Sequence, residues 1–110
     1  MQIDIRKLEQ ITIVDAAGDI DYSTSPELRR VLLREFRELK IPRVVLNLTS
    51  VRYVDSAGVA SLLESLKASR DLKSRFILYG LNAKVTQVLQ LSKLLTLFEI
   101  RENEEQALKS

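Results

Sequence analysis

The run from Val44 to Ser69, VVLNLTSVRYVDSAGVASLLESLKAS, changes its period once along its length. Val44-Val45-Leu46-Asn47-Leu48 is short, β-branched and almost wholly apolar, which suits a strand buried on both faces. After Asp55-Ser56-Ala57-Gly58 the apolar residues Val59, Leu62, Leu63 and Leu66 recur at helical spacing. Strand, loop and amphipathic helix in that order are the start of a βαβ unit. In open α/β sheets, sites gather in the loop beyond the carboxyl end of a central strand. The Asp55–Gly58 element sits there.

Outward from this unit the chain repeats the alternation. Residues 3–7 and 11–17 alternate around isoleucine, with Glu9-Gln10 as the turn of an opening hairpin. Ser23-Thr24-Ser25-Pro26-Glu27 is a helix start: Thr24 with Glu27 has capping-box spacing, and Ser25 with Pro26 gives a cap followed by proline. Either cap starts the same helix, with Leu28, Val31, Leu32, Phe36 and Leu39 inward and Arg30, Arg34, Arg37 and Glu38 outward. Pro42 ends it. Phe76-Ile77-Leu78-Tyr79 is a further buried strand closed by Gly80, and Asn82 caps a helix carrying Val85, Val88 and Leu89. Leu97 to Ile100 reads as a last edge strand and Glu102 to Lys109 as a final short helix. The order ββαβαβαβα predicts one α/β domain over residues 1–110, a central, mostly parallel sheet flanked by helices.

Composition narrows the chemistry. The 110 residues carry 17 Lys+Arg and 15 Asp+Glu, a net charge of +2, with 45% apolar side chains and neither cysteine nor histidine. Disulfides, thiolate nucleophiles, zinc–cysteine sites and a Ser-His-Asp relay are excluded. The usual general base near neutral pH is missing too. The near-balanced charge argues against nucleic acid as a partner. Arg30, Arg34 and Arg37 alternate with Glu27, Glu35 and Glu38 without aromatics for base stacking, which reads as a charge-paired, solvated face. The N-terminus lacks the pattern of a secretion signal and no stretch is long enough for a membrane span, so a soluble cytoplasmic chain is expected.

Ser56, at or next to the N-cap of its helix, has two readings. In one, its hydroxyl caps free backbone N–H groups and Gly58 permits close helix–sheet packing. In the other, the hydroxyl is exposed and accepts a phosphoryl group, which the positive helix end would tolerate. A phosphate would add about −1.5 to −2 charges beside Asp55, changing what a partner meets without any catalytic residue in this chain.

The sequence resembles a stand-alone STAS domain of the bacterial anti-sigma factor antagonist family. The matching pieces are Gly18-Asp19-Ile20-Asp21, Val44 to Leu48, Tyr53-Val54-Asp55-Ser56-Ala57-Gly58-Val59, and the leucine-rich helix from Asn82 to Leu95. The resemblance implies partner switching. A serine kinase that is also the anti-sigma factor would phosphorylate Ser56. The unphosphorylated antagonist would bind that kinase and free its client, and a metal-dependent serine phosphatase would reset the switch. No cofactor would belong to this chain; ATP and Mg²⁺ would be the kinase's. The implied partner surface is Asp21, Ser23 and Thr24 together with Asp55, Ser56, Ala57, Gly58, Val59 and Ala60. Asp21 ranks above Asp19 because it matches the family's more characteristic aspartate. Tyr53 is expected to pack beneath the loop, and Ala57, Val59 and Ala60 to offer a small apolar contact. The family commonly has Gly-Leu-Gly after the serine, where this chain has Gly58-Val59-Ala60, so Ala60 brings a methyl to a partner backbone.

Two alternatives carry different predictions. One is an unphosphorylated STAS accessory subunit of a lipid-transport ATPase. The other is a small serine hydrolase with Ser56 as nucleophile and Lys67 or a carboxylate as base. The acidic run Glu102, Glu104 and Glu105 reads as a negative bias at a helix start. Leu94-Leu95-Thr96-Leu97-Phe98 is expected in the core, and would become a partner patch if exposed.

Overall fold

A computed structural model describes residues 1–110. Five strands form one sheet in the spatial order of the sequence: β1 (Gln2–Leu8), β2 (Ile11–Ile20), β3 (Arg43–Val54), β4 (Arg75–Tyr79) and β5 (Glu99–Arg101). The β1–β2 hairpin is antiparallel, with Leu8 opposite Ile11 across the Glu9-Gln10 turn. All later pairings are parallel. The helices are α1 (Ser25–Leu33), α2 (Ser56–Asp71), α3 (Ala83–Leu91) and α4 (Glu104–Lys109). The element order is the one expected from the periodicities.

Alternation along β2, β3 and β4 sorts the sheet into two faces. Val14, Leu46 and Leu78 meet α1, α2 and α3 and join Leu28, Leu32, Leu62, Val85 and Leu89 in the main core. Ile13, Val45, Ile77 and Tyr79 form a smaller cluster against Ala107 of α4. The Val44–Leu48 run is therefore buried on both sides, as its composition demanded.

Within the strands and connecting turns the structure departs from expectation as follows. First, β3 continues to Val54, through residues expected in a loop. Ala17, Gly18 and Ile20 pair with Ser50, Val51 and Val54 across two register shifts, so the long β2 supplies the partner that extends β3. Second, α1 runs into a π-helical turn, Arg34–Glu38, in which the Leu39 N–H donates to the Arg34 carbonyl at 3.0 Å. An i→i+5 turn slips the helical phase, so Leu39, expected inward, is 43% exposed. Glu35, expected on the solvated face, is 2% exposed. It is ion-paired with Lys7 Nζ, which also donates to Thr12 Oγ1 at 3.0 Å. Third, Tyr53 does not pack beneath the loop but is 45% exposed, because it lies on the part of β3 that outruns β4. Fourth, the Leu94–Phe98 run is only partly core: Phe98 is buried and Leu97 is 41% exposed on a short 3-10 turn.

Helix α4 closes the second face through charge. Arg6 reaches Asp15 with Nε at 2.7 Å and also pairs with Glu104, while Tyr79 Oη donates to Glu104 Oε1 at 3.0 Å. Arg6 holds Asp15 and Glu104 below the usual carboxylate range. Burial, reinforced by the Glu104 carboxylate, pushes the Tyr79 phenol up to about 12. Glu104 thus does more than bias a helix start.

Candidate functional site

The site is built where β2 and β3 end side by side. After β3 the chain turns at Asp55, whose backbone is extended (φ −92°, ψ −174°), and α2 begins at Ser56. Asp55, not Ser56, is the cap: the Gly58 N–H donates to Asp55 Oδ1 at 2.9 Å. The second carboxylate oxygen is also used. The Tyr22 N–H, from the loop after β2, donates to Asp55 Oδ2 at 3.0 Å, and the Asp55 N–H donates to the Ile20 carbonyl at 3.0 Å. One aspartate therefore caps α2 and ties its start to the neighbouring loop.

That division of labour releases Ser56. It occupies the first position of a helix of 16 residues, exposed to solvent, with the capping already done by its neighbour. The Gly58 and Val59 amides are taken by Asp55, the latter bonding its carbonyl at 2.9 Å. The amides of Ser56 and Ala57 stand in the first turn, where helical amides have no intrahelical acceptor and the dipole is positive.

The loop between β2 and α1 is organised by Asp21. Its Oδ1 accepts from the Ser23 N–H at 3.0 Å, the Ser23 hydroxyl at 2.9 Å and the Thr24 N–H at 3.1 Å. The Ser23 hydroxyl, then the Thr24 amide, hold the Asp21 carboxylate below its ordinary range. Thr24 Oγ1 accepts from the Asp21 N–H at 2.9 Å and donates to the Asp19 carbonyl at 2.7 Å. Neither expected cap of α1 operates. Thr24 holds the N-cap position without a side-chain capping bond, Ser25 is the first helical residue and is buried, and Pro26 follows it. Asp19 is engaged elsewhere, 3.3 Å from the Arg52 guanidinium.

Of the residues expected on a partner surface, the fold brings the Asp21–Thr24 loop and the start of α2 onto one rim. It does not expose them all. Gly58 is buried, and a Cβ there would lie 2.5 Å from the Ile20 carbonyl oxygen and 2.7 Å from Val54 Cγ1. Glycine is demanded by the approach of α2 to the ends of β2 and β3. Val59 is 7% exposed and turned into the core, so the apolar contact expected of it is not available. Ala60 and Ser23 are exposed, and Ala57, Thr24, Asp21 and Asp55 partly so. Sequence reasoning missed Tyr22, which is 82% exposed in the Asp21–Thr24 turn. An aromatic residue outside any apolar stripe was its only signal.

No group of three or more acidic side chains is placed to hold a metal ion. Of the bases the hydrolase reading offered, Lys67 is remote from Ser56. Lys67 lies eleven residues beyond Ser56 on α2, roughly 16 Å along the axis at about 1.5 Å per residue. Both Asp55 oxygens already accept backbone amides. No helix is long and apolar enough to cross a membrane.

A mostly parallel sheet entered through an antiparallel hairpin, with an Asp-Ser element opening the helix after its central strand, defines a single-sheet α/β domain with its candidate site at the carboxyl end of the central strand. The chain belongs to the STAS domain family, whose model matches residues 2–107. The anti-sigma-B factor antagonist of Listeria monocytogenes is 30% identical over 102 residues, covering 92% of this chain and 87% of that protein. A Thermotoga maritima structure classed with the anti-sigma factor antagonists superposes with a TM-score of 0.90 at 20% identity, covering 97% of this chain and 92% of that one. The Bacillus cell fate determinant SpoIIAA in its phosphorylated form superposes with a TM-score of 0.76 at 17% identity, covering 98% and 97%.

Proposed function

We propose that this protein is an anti-sigma factor antagonist that works by partner switching, with Ser56 as its phosphoacceptor. The observation that carries the reading is the exposed Ser56 hydroxyl at the first position of α2, relieved of capping by Asp55. The names of the relatives point to an anti-sigma factor as the class of partner. In our reading that partner is also a serine kinase, and the two meet in the cytoplasm. In the unphosphorylated state the rim of Tyr22, Ser23, Ser56 and Ala60 binds that kinase and frees its client. ATP, Mg²⁺ and the base for phosphoryl transfer belong to the kinase. A metal-dependent serine phosphatase returns the chain to its binding form.

Phosphate on Ser56 would meet the first-turn amides, so α2 need not unwind. It would also stand beside the Asp55 carboxylate. Against a net charge of +2, an added charge of about −2 nearly neutralises the molecule, and locally it makes an acidic rim more acidic. The partner, not the fold, registers the change. Intact mass with phosphosite mapping of protein from its native cell tests the reading. One phosphate on Ser56, lost in Ser56→Ala, is expected. Kinase binding that Ser56→Asp leaves unchanged would refute it.

A further inference from the structure

The open edge of the sheet is β1, and its sequence is self-complementary. β5, the other edge, is only 3 residues long, whereas β1 has 7, without proline or a bulge. Glu9-Gln10 is a two-residue turn between Leu8 and Ile11, which makes that pair the one exchanging both backbone bonds. Counting back by alternation, Gln2, Asp4, Arg6 and Leu8 bond toward β2. Ile3, Ile5 and Lys7 direct their N–H and C=O groups outward, unpaired.

A second strand can add only where outward groups meet outward groups, so its register moves in steps of two. Antiparallel to a second copy of itself, β1 has three central registers of this kind. Centred on Asp4, the register sets carboxylate against carboxylate. Centred on Arg6, it sets guanidinium against guanidinium. Centred on Ile5, it places Asp4 opposite Arg6 of the other copy twice over, Ile5 against Ile5, and Ile3 against Lys7. Cross-strand charges of opposite sign stabilise a pairing and like charges oppose it. The side chains have the capacity for this contact. Asp4 has no ion pair on its own chain and accepts only from Gln2 Nε2 at 3.2 Å. The Arg6 side chain is 45% exposed although bound to Asp15 and Glu104. Ile5 is 46% exposed, a large apolar residue on an edge strand.

We infer that a second copy of this chain docks on β1, forming a symmetric dimer with one sheet continuous through both copies and centred on Ile5. About six inter-chain backbone hydrogen bonds would form, two from each of the pairs Ile3–Lys7, Ile5–Ile5 and Lys7–Ile3. Because the two β1 strands run antiparallel, the two β2 strands do too. The Ser56 rims then lie at opposite ends of the joint sheet, and both remain open. The dimer is a bivalent form of the domain, and it holds whether or not Ser56 is phosphorylated.

Sedimentation equilibrium on the full chain, from micromolar to near-millimolar concentration, tests this. The mass is expected to climb from 12.6 kDa toward twice that value. Asp4→Lys, which turns two attractive pairs repulsive, and Ile5→Lys, which replaces the central apolar pair by two like charges face to face, should each weaken association about tenfold. A wild-type chain that stays monomeric throughout overturns the inference. The register is tested independently, since the chain has no cysteine of its own. In the Ile5-centred register Gln2 faces Leu8 of the other copy in a close pair, about 4.5 Å between Cα atoms and within disulfide range. Mixing Gln2→Cys with Leu8→Cys should give the mixed disulfide in large excess over either homodisulfide. A statistical mixture of the three would overturn it, even if the lysine variants failed to fold.

Discussion

Replacing Asp55 by alanine removes two interactions that the structure joins in one carboxylate. The first is the N-cap bond from the Gly58 amide, for which truncation to alanine typically costs about 1 kcal/mol. The second is the bond from the Tyr22 amide, which ties the loop after β2 to the start of α2. A hydrogen bond to a charged group contributes about 1.5 kcal/mol at the low end of its range, and partial exposure at this rim brings the expectation to about 1 kcal/mol. Asp55→Ala should therefore lose about 2 kcal/mol. For a chain of 110 residues, an unfolding entropy of about 2.1 cal/mol/K per residue converts that loss to a Tm drop of about 9 °C. Asn ranks with Asp as a cap and keeps an acceptor oxygen, so Asp55→Asn should retain at least half of the stability. Urea unfolding monitored by circular dichroism measures both variants. Hydrogen exchange at the Tyr22 amide separates the two bonds, since its protection should fall in Asp55→Ala beyond what global destabilisation explains. If Asp55→Ala cost less than about 0.5 kcal/mol, or Asp55→Asn cost as much as Asp55→Ala, the assignment of the clamp would be wrong.

Gly58→Ala forces a methyl to within 2.5 Å of the Ile20 carbonyl, so α2 must shift; a loss of about 2–3 kcal/mol is expected in denaturant unfolding. Lys7→Met leaves the buried Glu35 carboxylate unpaired and should cost about 3 kcal/mol, while the double variant Lys7→Met/Glu35→Gln recovers most of it. Asp15 and Glu104 are held below their unfolded values of 3.8 and 4.5, so the stability they contribute is full above those values and disappears as pH falls through the lower folded ones. Thermal melts should show Tm falling below about pH 4.5, and Arg6→Gln should flatten that fall while lowering Tm at neutral pH.

Much of this was legible along the chain because it rests on local periodicity. A five-residue, almost wholly apolar run between two helical stripes has few alternatives to a buried parallel strand, and the parallel register found for Val44 to Asn47 on both sides agrees with it. The Asp-Ser-Ala-Gly element declares a helix start by composition alone. The phase of α1 beyond Leu33 was not legible. Nothing in REFRE distinguishes a π-turn from an α-turn until Lys7, on a strand remote in sequence, offers the buried Glu35 a partner.

The sequence by itself determined the alternation of strands and helices, the absence of histidine and cysteine chemistry, and the position of Ser56 at the mouth of a helix. Each of these depends on residue type and on neighbours within a few positions. The tertiary structure alone decided what Ser56 is free to do. A serine beside an aspartate at a helix start can cap or stand clear. The choice turns on where the other acceptors and donors lie. Here the Ile20 carbonyl and the Tyr22 amide, brought across from the end of β2, hold Asp55 in the capping geometry. The same long-range pairing extended β3 to Val54, made Gly58 obligatory and turned Val59 inward. These outcomes come from atoms more than thirty residues apart meeting at hydrogen-bond distance, which no local pattern encodes.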